Sequence, residues 1–361
     1  MKALLTGVAL AALVGLPALA AEGTVRIYNW SDYIDEEILA EFTAETGIEV
    51  IYDVFDSNEV LETKLLAGGT GYDIVVPTGD FLQRQIQAGV FQKLDKSKLP
   101  NLANMWDQIE ARTAGFDPGN EHSVNYMWGT TGIGYNVDAV KERLGVDAID
   151  SWDVVFKPET IEKFADCGVF FLDAPTEVIP AALNYLGFDP NSNDKGEIEQ
   201  AAALLESVRP HVTQFHSSQY INALANGDAC LAIGWSGDVL QARDRAAEAD
   251  NGVSVEYAIP KEGALMWFDQ MAIPSDAPNP EAAHAFINYL QQPEVIAKAS
   301  NYVYYANGNV ASKEFLVEDV IDDPAIYPPE ETVANTWTAV PYPPRVQRDV
   351  TRAWTRVKTG S

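Results

Sequence analysis

The chain has 361 residues, with 53 Asp and Glu against 24 Lys and Arg, a formal charge of −29 at pH 7. That balance excludes nucleic acid as a natural partner, since nucleic acid needs a basic face, and it concentrates small cations near the surface. The length exceeds what one hydrophobic core supports, so two domains are expected.

The first twenty residues read as a secretory signal peptide: Lys2, an apolar run over 3–19, and the cleavage pattern Ala18-Leu19-Ala20 before Ala21. Gly15 and Pro17 interrupt that run, which is short for a membrane span. The mature chain is therefore expected to be exported and soluble. Cys167 and Cys230 are the only cysteines, and an oxidising compartment favours their pairing. A bridge would close a loop of roughly 64 residues, worth on the order of 4 kcal/mol; two free buried thiols are the alternative. Neither belongs to a CxxC motif, which argues against redox catalysis.

Strand-like and helix-like patterns then alternate. Residues 25–29 read as a strand and 35–46 as a helix with Ile38, Leu39 and Phe42 on one face, stopped by Gly47. A strand over 48–55 leads to Ser57, an N-cap for a helix whose inner face is expected to include Val60, the Lys64 stem and Leu65 and which stops at Gly68-Gly69. A short apolar strand over 73–77 precedes Thr78-Gly79-Asp80, which opens a helix toward Gly89. Three such units imply a parallel sheet covered on both faces. Further on, 126–136 suits a strand crossing between lobes, Ser151-Trp152 starts a helical region, and 168–172 is a strand. Residues 217–226 read as a helix before a strand at 229–235, and 259–263 suits a second crossover. Pro278 and Pro280 introduce an amphipathic helix through Ala283, Phe286, Ile287 and Leu290. Proline-rich stretches at 326–329 and 340–344 suggest surface wrapping before a last helical segment near Trp354.

Common enzyme signatures are missing. There is no GxSxG elbow and no Walker A loop, and Gly132-Ile133-Gly134 lacks the third glycine of a dinucleotide fingerprint. The four histidines make no metal spacing, and no nucleophile stands beside a base, so no metal or cofactor is expected. What recurs is a carboxylate with aromatic or hydroxyl residues beyond a strand end, where open α/β sheets bind ligands. Trp30, Asp32 and Tyr33 form one set, Thr78 and Asp80 a second, Trp235, Ser236 and Asp238 a third, and Met266-Trp267-Phe268-Asp269 a fourth. Any one set is more often a capped helix start or core. Four together suit a polyamine: each buried ammonium needs a carboxylate, while the methylene spacer packs on ring faces that attract the cation by roughly 1 to 2 kcal/mol.

Several segments carry a resemblance. Tyr28-Asn29-Trp30-Ser31-Asp32-Tyr33-Ile34, Val54-Phe55-Asp56-Ser57-Asn58-Glu59, Gly132-Ile133-Gly134-Tyr135-Asn136, Ala232-Ile233-Gly234-Trp235-Ser236-Gly237-Asp238, Ile259-Pro260-Lys261-Glu262-Gly263 and Tyr305-Ala306-Asn307 resemble the periplasmic putrescine- and spermidine-binding proteins of polyamine ABC transporters. The resemblance spans the mature chain in order and is nearest the putrescine-binding branch, including both cysteines and His216-Ser217-Ser218-Gln219-Tyr220. It implies a type II periplasmic-binding-protein fold, two α/β lobes joined by a hinge and closing on a ligand cleft. One lobe is expected at 21–131 with 259–309, the other at 132–258 with 310–361. It also implies a monomer that hands a polyamine to a membrane permease. By position, Trp30, Tyr33, Trp235, Trp267 and Tyr305 would form an aromatic box. Asp238 and Asp269 would hold the amines, Glu177 would be a further acid, and Ser31, Asp32 and Thr78 would add polar contacts. Trp267 stands where the putrescine branch has Phe, as in the spermidine-type site, and Asp80 stands where a small hydroxyl residue is usual and could accept a third ammonium. Spermidine is therefore expected to bind at least as well as putrescine. Another cation such as agmatine, or an enzyme or sensor on the same fold, is the competing expectation.

Overall fold

The computed structural model describes residues 23–360; the expected signal peptide lies outside them. Strand β1 (Gly23–Trp30) is flanked in parallel by β2 (Ile48–Phe55) and β3 (Ile74–Val75). Between them, helix Glu36–Thr46 is capped by the Asp35 carboxylate and ends at Gly47, whose φ of 75° only glycine adopts readily. Helix Asn58–Ala67 starts at Ser57 as expected, but its inner face differs. Asn58, Leu61 and Leu65 are buried and Val60 is 48% exposed, because Asn58 turns inward to bond both the Thr78 backbone N–H and its hydroxyl.

The sheet is mixed rather than purely parallel. The fourteen-residue β4 (Ser123–Asn136) runs antiparallel to β9 (Ala264–Ala272). Strands β5 (Val169–Phe171), β6 (Gln214–Phe215) and β7 (Leu231–Trp235) complete the order β2-β1-β3-β9-β4-β7-β5-β6. The short strands β8 (Val255–Ala258) and β10 (Ala306–Asn307) pair with β4, and β11 (Thr336–Trp337) with β9.

Two apolar clusters divide this sheet. One gathers Val25, Ile27, Ile74 and Phe286; the other gathers Trp152, Phe171, Ile233 and Trp354. Strand β4 passes between them, its Tyr126 and Met127 in the first cluster and its Ile133 and Tyr135 in the second. Strand β9 serves both by alternation, with Leu265 and Trp267 facing the first and Met266 and Phe268 the second. The two crossing strands are thus the spine of a two-lobed molecule.

Cys167 and Cys230 are joined as a disulfide with their Cα atoms 5.6 Å apart, tying the approach to β5 to the approach to β7. The chain closes with helix Pro344–Thr359, which buries Val350, Ala353, Trp354 and Val357. Among the described residues no helix is long and apolar enough to cross a membrane.

Candidate functional site

Between the lobes lies a cleft of about 430 Å³ whose walls come from both. On one side β1 delivers Trp30 and, past its end, Ser31 and Tyr33. Trp30 is fixed by its indole N–H donating to the Val76 carbonyl at 2.9 Å. Tyr33 stands edge-on to Tyr126 and Tyr305, with centroids 5.2 and 5.3 Å away. On the other side β7 ends at Trp235, whose ring meets that of Trp30 edge-on at 5.5 Å. Trp267 rises from β9 against Tyr305, centroids 5.2 Å apart. These rings need glycine behind them. A Cβ at Gly237 would lie 2.6 Å from Tyr305, and one at Gly129 2.8 Å from Trp267.

Two buried carboxylates, Asp238 and Asp269, and the half-buried Glu177 enter this aromatic frame. Asp238 occupies the first turn of helix Ser236–Ala249 and accepts hydroxyl protons from Tyr220 and Tyr305, each at 2.7 Å. Asp269, on β9, accepts from Tyr33 at 2.8 Å and Thr78 at 2.7 Å. Glu177, in the first turn of helix Pro175–Tyr185, accepts from the Thr131 hydroxyl and from the Trp235 indole N–H at 3.0 Å. Acids in the first turn of a helix sit at its positive end, the place of Asp238 and Glu177 but not of Asp269. None of the lining residues is Lys, Arg or His. Burial, with only partial relief from these hydrogen bonds, pushes Asp238, Asp269 and Glu177 each up to about 7. Neutral donors orient the carboxylates and leave their charge uncompensated. The arrangement is built to take organic cations carrying an apolar spacer.

Ten of the twelve residues singled out in the sequence line the cleft: Trp30, Ser31, Tyr33, Thr78, Glu177, Trp235, Asp238, Trp267, Asp269 and Tyr305. Asp32 does not. Its backbone has φ 53°, and its carboxylate accepts from the Arg245 guanidinium at 2.7 Å across the rim, an ion pair between the lobes. Asp80 does not line the cleft either. It lies in an adjoining space of about 320 Å³ that shares Thr78, Glu177 and Trp267 with it. Asp80 is buried and raised to about 6, chiefly by desolvation, with Arg84 opposing. Asp56 and Ser217 line the cleft unanticipated. Asp56 was accessible to the strand-end rule, since it follows β2 as Asp32 follows β1. The hydroxyls of Thr131 and Tyr220 carried no such signal, one lying mid-strand and the other in a helix.

The sequence pattern of the bacterial extracellular solute-binding proteins matches residues 37–328. The chain belongs to that family. This solute-binding protein is 53% identical over 362 residues to the putrescine-binding periplasmic protein PotF of Escherichia coli K12, covering 100% of this chain and 98% of PotF. It is 52% identical over 360 residues to the putrescine-binding periplasmic protein SpuD of Pseudomonas aeruginosa UCBPP-PA14, with 99% and 98% covered. A putrescine/agmatine-binding protein of Pseudomonas aeruginosa PAO1 is 44% identical over 345 residues, with 95% and 94% covered. Among solved structures, a putative spermidine/putrescine ABC transporter protein from Listeria monocytogenes superposes with a TM-score of 0.83 at 32% identity, covering 94% of this chain and 99% of that one. The periplasmic-binding-protein fold expected from the sequence is the fold observed.

Proposed function

We propose that this solute-binding protein works in the periplasm, after loss of its signal peptide, as the monomeric receptor of an ABC importer. It captures putrescine or spermidine between lobes 21–131 with 259–309 and 132–258 with 310–361, and delivers it to the permease without a cofactor. The carrying observation is three carboxylates, two buried and one half-buried, inside an aromatic frame with no basic residue in the lining. Asp238 and Asp269 hold the terminal ammonium groups and Glu177 adds a further acid. Trp30, Tyr33, Trp235, Trp267 and Tyr305 pack on the methylenes, while Ser31 and Thr78 complete the polar contacts. Asp80, next to Glu177 in the adjoining space, takes the third ammonium of spermidine beside Trp267.

A guanidinium-bearing amine such as agmatine is a second reading, favoured by the 44% identical putrescine/agmatine-binding relative. Thermal-shift measurements with putrescine, spermidine, agmatine and neutral amino acids test both. A ligand at a hundred times its Kd stabilises by about 2.7 kcal/mol; absence of any shift with the three cations overturns the assignment. Calorimetry that finds putrescine held about a hundredfold more tightly than spermidine, about 2.7 kcal/mol, overturns the role given to Asp80 and Trp267.

A further inference from the structure

We infer that the cleft exchanges protons for ammonium groups, so that pH selects between a diamine and a triamine; this rests on the polyamine reading above. The reasoning is a charge count. Asp238 faces the hydroxyls of Tyr220 and Tyr305; the charged groups within its reach are Asp269 and the pair Asp32 and Arg245, which are bonded to each other. Asp269 faces Tyr33 and Thr78, with Asp80 and Asp238 in electrostatic reach. Glu177 faces Thr131 and Trp235, with Asp80 and Asp269 in reach. Asp56 adds a fourth acid to the lining. Near the adjoining space, Arg84 stands beside Asp80 but already makes a two-oxygen contact with Glu62, and Arg112 is spent on the Met266 sulfur at 3.2 Å. Tyr33, Tyr126, Tyr220, Tyr257 and Tyr305 stay protonated, because burial raises each of them further.

The protein therefore supplies no unpaired positive charge to Asp238, Asp269 or Glu177. A buried carboxylate without a counter-charge is costly, and taking a proton is the cheaper remedy. Two ammonium groups neutralise Asp238 and Asp269 and leave one proton on the Glu177 side, where Asp80 shares the adjoining space. A third ammonium placed there displaces that proton. Burial raises the Glu177 carboxyl of the unliganded cleft to about 7, and bound ammonium groups draw it down from there, so the exchange falls between the ordinary carboxyl range and neutral pH, where alkylammonium groups are charged.

Spermidine should then release about one proton more than putrescine on binding. By linkage, the ratio of their association constants climbs toward tenfold per pH unit while the odd carboxylate keeps its proton beside the diamine, and levels off above that range. Titration calorimetry of the mature protein with putrescine and with spermidine, from about pH 5.5 to 8 in buffers of different ionisation enthalpy, counts the protons directly. Equal proton counts for the two amines, with a ratio independent of pH, overturn the inference while leaving the polyamine reading intact. Binding of neither amine overturns that reading, and the inference with it. Glu177→Gln removes the exchanging group, so in that variant the ratio should lose its pH dependence. A ratio that still climbs tenfold per unit places the exchange elsewhere and overturns the assignment. The wild-type proton count stands on its own if that variant fails to fold.

Discussion

The floor of the cleft and its rim use the same residue types in opposite ways. On the floor, Asp238, Asp269 and Glu177 meet only hydroxyl and indole donors. At the rim, Asp32 is paired with Arg245 at 2.7 Å, and in the neighbouring pocket that shares Asp56 and Ser217 with the cleft, Asp173 is paired with Lys358 at 2.8 Å and accepts from the Trp354 indole N–H. The chain provides bases where acids serve to hold segments together and withholds them where a ligand brings its own. A carboxylate beyond a strand end thus says nothing alone about function; what faces it decides.

The sharpest way to break this contrast is Asp238→Asn. Removing one partner of a buried charge pair costs about 3–5 kcal/mol, so polyamine affinity should fall by roughly a hundred- to a thousandfold or more. Calorimetry showing a loss below about tenfold, 1.4 kcal/mol, places the main counter-charge elsewhere.

Acidity tests the floor as a whole. Its carboxyls are raised to about 7 in the fold, above their ordinary values near 4, so the folded state binds protons more tightly than the unfolded chain. Stability from these groups is therefore present in acid and declines as pH rises toward 7. Bound ammonium groups cancel that decline. The gain in Tm on adding putrescine should widen between about pH 5 and 7; a gain that narrows contradicts the account.

Much of this division was legible in the sequence, and its gaps have physical reasons. Trp30, Tyr33, Trp235 and Asp238 follow strands that read clearly, and sheet topology gathers the ends of such strands. The side on which Asp32 falls was not legible, because one left-handed backbone turn, φ 53°, redirects its carboxylate to a base more than two hundred residues away. Val60 was misplaced for a related reason: the inner face of its helix is set by the bond from Asn58 to Thr78, a tertiary contact that periodicity does not carry. Residues that orient the acids, Thr131 and Tyr220, were invisible because an isolated hydroxyl has no pattern.

Gln241 links rim and floor and should have an intermediate effect. Its buried side-chain amide, on helix Ser236–Ala249, donates to the backbone carbonyls of Asp32 and Val303, each at 3.2 Å. Those carbonyls lie one residue before Tyr33 and two before Tyr305, the two rings whose hydroxyls hold Asp269 and Asp238. Gln241→Met keeps the volume and strands both acceptors, at about 1–3 kcal/mol. Stopped-flow measurements should show faster polyamine dissociation with association little changed; a slower association instead would mean that Gln241 shapes the open form.

Asp32→Asn should have the smallest effect. Both partners of the ion pair are about one-third exposed, at 39% for Asp32 and 34% for Arg245, and such pairs are worth about 0.2–1 kcal/mol, less in salt. The substitution isolates that pair. Asn accepts the left-handed backbone that Asp32 adopts, and the Gln241 bond goes to the main-chain carbonyl, so both features survive the change. Affinity should fall by no more than about fivefold at low ionic strength, roughly 1 kcal/mol, and the difference from wild type should shrink as salt is raised. A loss equal to that of Asp238→Asn would mean that the rim carboxylate, not the floor, carries the ligand's charge, and the distinction between the two regions would fail.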